Sequence, residues 1–122
     1  MKTKGMLESE ISQAIIKFEK DYMGRGPLET RTFLIEDMVL VRLRKVLTPA
    51  ELKLAGDELA SRRALVKQMR HELLEHGRPL LEAAITSILD AKVVSLHTDI
   101  STKTGERIIV FTLDKVPQFQ DN

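Results

Sequence analysis

Leu7, Ile11, Ala14, Ile15, Phe18 and Tyr22 recur at the spacing of one helical face, while Glu10, Gln13, Lys17 and Lys20 take the opposite side. The pattern predicts an amphipathic helix that stops at about Gly24, where glycine can adopt the positive φ of a helix C-terminus. The period then changes. Residues Leu28–Ile35 and Met38–Lys45 are rich in Thr, Phe, Ile, Val and Leu and predict two strands around Glu36-Asp37. Leu47-Thr48-Pro49-Ala50-Glu51 predicts a helix start, with Thr48 as cap, Pro49 in the first helical position and Glu51 completing a capping box. Leu52, Ala55, Leu59, Val66, Met69 and Leu73 give this helix an apolar side as far as about His76, with a break near Gly56. Gly77 is expected to stop it, and Pro79 to open a short helix carrying Leu81, Ala84, Ile85 and Ile88. Val93–Ser101 and Glu106–Asp114 predict a second hairpin around Thr102-Lys103-Thr104-Gly105.

The predicted fold class is α+β: a four-stranded antiparallel sheet from two β-hairpins, with helices packed on one face, in the order α-ββ-αα-ββ. One domain is expected over residues 1–122, with its core at about 6–114 and a polar, fraying tail at 115–122. Strand alternation sorts the side chains by face. Closing the second hairpin as a four-residue loop pairs Ser101 with Glu106, Asp99 with Ile108 and His97 with Val110. Val94, Leu96, Ile100, Ile109, Phe111 and Leu113 then face the helices, and Ser95, His97, Asp99 and Ser101 share the other face with Ile108 and Val110. In the first hairpin, Leu34, Val39, Val41 and Leu43 would face the core. Phe33, Ile35, Met38 and Leu40 would face away with Arg31, Arg42 and Arg44. The inverse assignment is also open, because both faces are apolar. Either way, one sheet face keeps an apolar patch rimmed by arginines, and such a patch is normally covered.

Composition narrows the function classes. Apolar residues are 43% and charged residues 30%, as in a globular domain. A net charge of +1 does not suit a general polyanion binder, and the basic run Arg62, Arg63, Lys67, Arg70, His71 and Arg78 is interleaved with Glu51, Glu58, Glu72, Glu75 and Glu82. That run reads as a solvated, ion-paired helix face, and nucleic acid is not an expected partner. There is no cysteine, so disulfides, thiol nucleophiles and Cys-based metal sites are excluded. No apolar run reaches the length a bilayer requires, and neither a signal peptide nor a transmembrane segment is expected; a cytoplasmic location is. His71, His76 and His97 include no pair at metal-ligand helical spacing except a weak His71/His76 offset, so neither a metal nor a cofactor is expected.

Two constellations carry possible chemistry. His97 and Asp99 leave the same strand face about 7 Å apart, but no nucleophile signature accompanies them, and a polar sheet surface explains them. Met23-Gly24-Arg25-Gly26-Pro27 offers backbone N–H groups and a guanidinium to an anion. It follows a helix rather than opening one, however, so the helix dipole disfavours phosphate there. Binding candidates are therefore Arg25, Arg31, Arg42, His97 and Asp99. Interface candidates are Phe33, Ile35, Met38, Leu40, Ile108 and Val110. No catalytic residue is assigned, and an enzyme is the less favoured class.

Three segments in register resemble the MpsC-like domain family: Gly24-Arg25-Gly26-Pro27, then Val46-Leu47-Thr48-Pro49-Ala50-Glu51, then Val94 to Glu106 running into Val110-Phe111-Thr112-Leu113-Asp114. The resemblance spans about Met6 to Asp114. Asp90-Ala91-Lys92 stands where a glycine would be expected before the third strand. The family name implies association with a sodium-translocating, membrane-potential-generating system, and brings no catalytic residues with it. The expected function is an accessory or interaction module, acting as a homodimer or with a protein partner. The alternative is a small-molecule or anion-binding sensor or enzyme using the polar, arginine-rich sheet face.

Overall fold

Thr3 opens the first helix by accepting a hydrogen bond from the Met6 N–H at 3.2 Å, satisfying one of the donors that a helix start leaves free. The computed structural model describes residues 1–56 and 59–120. Helix α1 runs Lys4–Met23 and ends at Gly24, whose φ of 84° is a left-handed C-cap. Strands β1 (Glu29–Ile35) and β2 (Met38–Arg44) follow, then helices α2 (Pro49–Ala55) and α3 (Ala60–Leu89), then strands β3 (Val93–Ile100) and β4 (Arg107–Leu113). The four strands form one antiparallel sheet in the order β1-β2-β4-β3, so the hairpins meet through β2 and β4.

Both expected registers are present: Ile35 pairs with Met38 at the first turn, and Asp99 with Ile108 and His97 with Val110 in the second hairpin. Leu34, Val39, Val41 and Leu43 are buried with Ile109, Phe111 and Leu113 against Leu7, Ile11, Ile15 and Phe18 of α1 and Leu74, Leu81 and Ile85 of α3. This resolves the face of the first hairpin. Val94 departs from expectation. The register shifts between Val93 and Ser95, and this bulge turns Val94 outward to 66% exposure while leaving Leu96 opposite Phe111.

The capping box at α2 is formed in both directions, Thr48 N–H to Glu51 Oε1 at 2.8 Å and Glu51 N–H to Thr48 Oγ1 at 3.2 Å. The expected passage of helix across Asp57 and Glu58 lies outside the described residues, as do the last two positions of the tail. The stop at Gly77 is corrected: α3 continues through Gly77 and Pro79 to Leu89. Gly77 serves packing instead. A Cβ there would stand 2.4 Å from Cε2 and 2.8 Å from Cζ of Phe18, so the missing side chain lets α1 lie against α3. Pro79 gives up one internal hydrogen bond without ending the helix. The buried side of α3 is also rotated from the expected one. Val66, Arg70, Leu74, Gly77, Leu81, Ile85 and Leu89 are buried, while Leu52, Leu59 and Met69 are exposed.

Asp90 takes the left-handed position at the end of α3, φ 53°, and its N–H bonds Thr86 O at 2.8 Å, so an aspartate does what a glycine would do there. The tail does not fray as expected, at least to Gln120. Pro117 is buried, Phe119 packs on the core, and Gln120 N–H bonds Lys2 O at 2.9 Å.

Candidate functional site

Among the described residues no helix covers the second face of the sheet, and its side chains fall into cross-strand rows. One row is Arg31, Arg42, Ile108 and Asp99; the next is Phe33, Leu40, Val110 and His97; the third is Ile35, Met38, Thr112 and Ser95. Phe33 and Ile35 are 40% and 44% exposed, and Met38, Leu40, Ile108 and Val110 are partly buried among their neighbours. The six apolar interface candidates thus form one continuous patch over three rows and three strands, because period-two alternation places every second residue of β1, β2 and β4 on this side.

The charged candidates are distributed around it. Arg31 and Arg42 face each other across β1 and β2, yet each has its own carboxylate: Arg31 Nε lies 3.1 Å from Glu29 Oε1, and Arg42 Nε donates to Glu106 Oε2 at 2.6 Å. His97 and Asp99 do not engage each other. His97 Nε2 is 3.2 Å from Ser95 Oγ, and Ser95 also pairs with Thr112. Asp99 turns around the edge of β3 to Lys67 of α3 at 2.9 Å and accepts the Ile100 N–H at 2.8 Å; these two bonds hold its carboxyl below the usual range. Arg25 stands apart from all of them. Its Nη2 reaches Lys45 O at 3.4 Å, beside a small cleft lined by Leu47, Pro49 and Gly105.

Sequence reasoning missed a second feature, a line of four charges buried under the sheet's other face. Arg70, 1% exposed, donates from Nε to Glu51 Oε2 at 2.7 Å and from Nη2 to Glu51 Oε1 at 2.5 Å and to Val46 O at 2.8 Å. Its Nη1 stands 3.9 Å from Glu19 Oε2. Arg107, 2% exposed, donates from Nη1 to Thr98 Oγ1 at 2.9 Å, and Thr98 donates on to Ile108 O at 2.8 Å. Burial raises the Glu19 carboxyl against the opposing pull of Arg107 and Arg70, and burial lowers the Arg107 guanidinium against the support of Glu19. At Glu51 burial also pushes upward, but the hydrogen bonds from Arg70 and from the Thr48 backbone outweigh it and hold the carboxyl below its ordinary value.

The signals for this cluster were positional. Glu19 lies four residues after Ile15, Arg70 lies midway between Val66 and Leu74 on one helical face, and Arg107 has the parity of Ile109 and Phe111. A long charged residue inside an apolar period is the mark of a buried ion pair.

The sequence signature of the family described as "Na+-translocating membrane potential-generating system (MpsC)" matches residues 3–115. The chain belongs to the MpsC family. The match takes in every strand and helix, and so both the open sheet face and the buried charges of this MpsC-family domain. A similar protein is the "Uncharacterized protein YbcI" of Bacillus subtilis (strain 168), 46% identical over 112 residues, which are 92% of this chain and 89% of that protein. No solved structure matches the MpsC-family chain significantly.

Proposed function

We propose that this chain is an accessory subunit that acts as a homodimer, with the open sheet faces of two copies stacked on each other. The observation that carries this reading is the order of side chains in the rows. A two-fold axis in the interface, parallel to the strands and passing between β2 and β4, lays each row on itself in reverse. Arg31 then stands opposite Asp99 of the second copy, whose carboxylate would exchange Lys67 for that guanidinium, while Arg42 stands opposite Ile108, Leu40 opposite Val110, Met38 opposite Thr112 and Phe33 opposite His97. Opposite charges meet at both margins and apolar side chains meet in the middle, the arrangement of a specific interface. An axis across the strands would instead lay the arginine row on the Ile35 and Met38 row, so that Arg31 as well as Arg42 would stand opposite an apolar side chain.

The family is described by a Na+-translocating system, and among the described residues no helix is long and apolar enough to cross a membrane. The role that fits both is docking to such a system rather than forming a helical ion path in it. An anion receptor on the same face has less support, because Arg31 and Arg42 each already hold a carboxylate.

Light scattering coupled to size exclusion tests the dimer. The full chain is expected at twice its own mass, and Leu40→Glu at the mass of one chain with unchanged helical circular dichroism. A single-chain mass for the unaltered protein at high micromolar concentration overturns the reading.

A further inference from the structure

On the side of the sheet away from the proposed dimer face, a groove of about 340 Å³ runs between α3 and β3. Ala64, Lys67, Gln68 and His71 line it from the helix, Thr98, Asp99 and Ile100 from the strand, and Arg107 from β4. Its volume is that of a small-molecule site.

Arg107 sets the chemistry of this groove. Its guanidinium is almost wholly buried, one nitrogen is engaged by Thr98, and among the described residues its Nε–H has no hydrogen-bond partner. A buried donor of this kind is costly unless something accepts from it. Thr98 cannot serve further as a donor to a ligand, since its hydroxyl hydrogen goes to Ile108 O. Among the described residues that line the groove the only carboxylate is Asp99, which is mostly exposed and is held by Lys67. Lys67 and His71, both exposed, stand on neighbouring turns of α3 at the rim, and Gln68 turns its amide to Glu72 at 2.7 Å. The donors lining this groove therefore outnumber the acceptors, with one guanidinium in the wall, an ammonium and an imidazole at the rim, and Ala64 and Ile100 as apolar wall.

We propose that this groove binds a small molecule through an oxyanion, a carboxylate or a phosphate, seated against the Arg107 guanidinium in its wall and capped by Lys67 and His71. An oxyanion accepts several N–H groups at once and suits a guanidinium better than a neutral group does. The ammonium of Lys67 reaches it by exchanging Asp99 for the ligand. Arg107, Lys67 and His71 all lie off the dimer face, and Asp99 is the residue that the two surfaces share.

Titration of the isotope-labelled full chain by NMR tests the proposal, with inorganic phosphate, glycerol phosphate and succinate as probes at fixed ionic strength and sodium chloride as the control. Saturable shifts are expected at Lys67 to His71 and Thr98 to Ile100 for at least one probe. A response to the two phosphates alone marks a phosphoryl ligand, and one to succinate alone a carboxylate. Lys67→Ala and His71→Ala, both exposed changes that spare the core, should each weaken binding about tenfold, the scale of one charge-assisted hydrogen bond. Absence of saturation with all three probes, shifts equalled by chloride, or affinity unchanged in both variants would overturn it. Leu40→Glu should bind as the unaltered chain does.

Discussion

Arg70 of α3 grips Glu51 of α2 with two parallel hydrogen bonds, Nε to Oε2 at 2.7 Å and Nη2 to Oε1 at 2.5 Å, inside the protein. The same carboxylate accepts the Thr48 N–H, so one side chain caps α2 and ties it to α3. Removing one partner of a buried pair strands the other charge, at a cost of about 3–5 kcal/mol. Arg70→Ala should therefore lower the unfolding free energy by that order, read as a shift in urea midpoint at constant slope. A loss under about 1 kcal/mol would place the pair with ordinary surface ion pairs.

Glu19 sets a pH dependence of opposite sign to that of Glu51. Its carboxyl is raised in the fold above the ordinary glutamate value of 4.5. The stability linked to it is full below that value and is lost as pH rises through the folded pKa. Glu19→Gln stays neutral, so its stability relative to the unaltered protein should increase with pH above about 4.5 and then level off. Glu51 is lowered, so its contribution is present above 4.5 and is lost as pH falls through its folded pKa. Chemical unfolding at several pH values separates the two; a pH-independent difference for Glu19→Gln would contradict the first.

Gly77→Ala should destabilise the fold although alanine is the better helix former by about 1 kcal/mol. The new methyl would overlap the Phe18 ring, and overpacking of this kind costs about 1–3 kcal/mol. Thermal melts of Gly77→Ala and of the Phe18→Leu, Gly77→Ala double variant check it, since the smaller leucine should return part of the loss.

Charge exchange probes the dimer axis. Arg31→Glu should weaken association by placing like charges opposite each other, and Arg31→Glu with Asp99→Lys should restore it, as read by sedimentation equilibrium. Equal association by all three forms would refute an axis parallel to the strands.

Arg25→Ala distinguishes a structural corner from a binding one. The side chain is exposed and makes one long bond to Lys45 O, so the change in stability should stay within about 0.5 kcal/mol.

Local chemistry made the hairpins and the α2 start legible. The Ser101 to Glu106 closure is present as a backbone bond of 2.8 Å, and the Thr48 and Glu51 box follows from two side chains three residues apart. Long-range contacts hid the rest. Gly77 and Pro79 read as punctuation until the Phe18 ring supplies a reason for a glycine inside a helix. Val94 has core parity, and only a bulge one residue long reverses it. Arg70 reads as part of a solvated basic run because its partners, Glu19 and Glu51, come from distant segments; its place between Val66 and Leu74 marks its burial but does not name those partners. The open sheet face was legible as a composition of rows, whereas the groove at Arg107 required the packing of α3 over β3.

The order β1-β2-β4-β3 also has a kinetic consequence. Each hairpin closes through near neighbours in sequence, but the central seam joins Val41 to Ile109 and Leu43 to Arg107, strands from opposite halves of the chain. Seating that seam costs loop-closure entropy before its contacts reward it. Topology thus predicts that bringing β2 and β4 together limits folding, and substitutions at Val41 or Ile109 should slow refolding, followed by stopped-flow, more than substitutions at either hairpin tip.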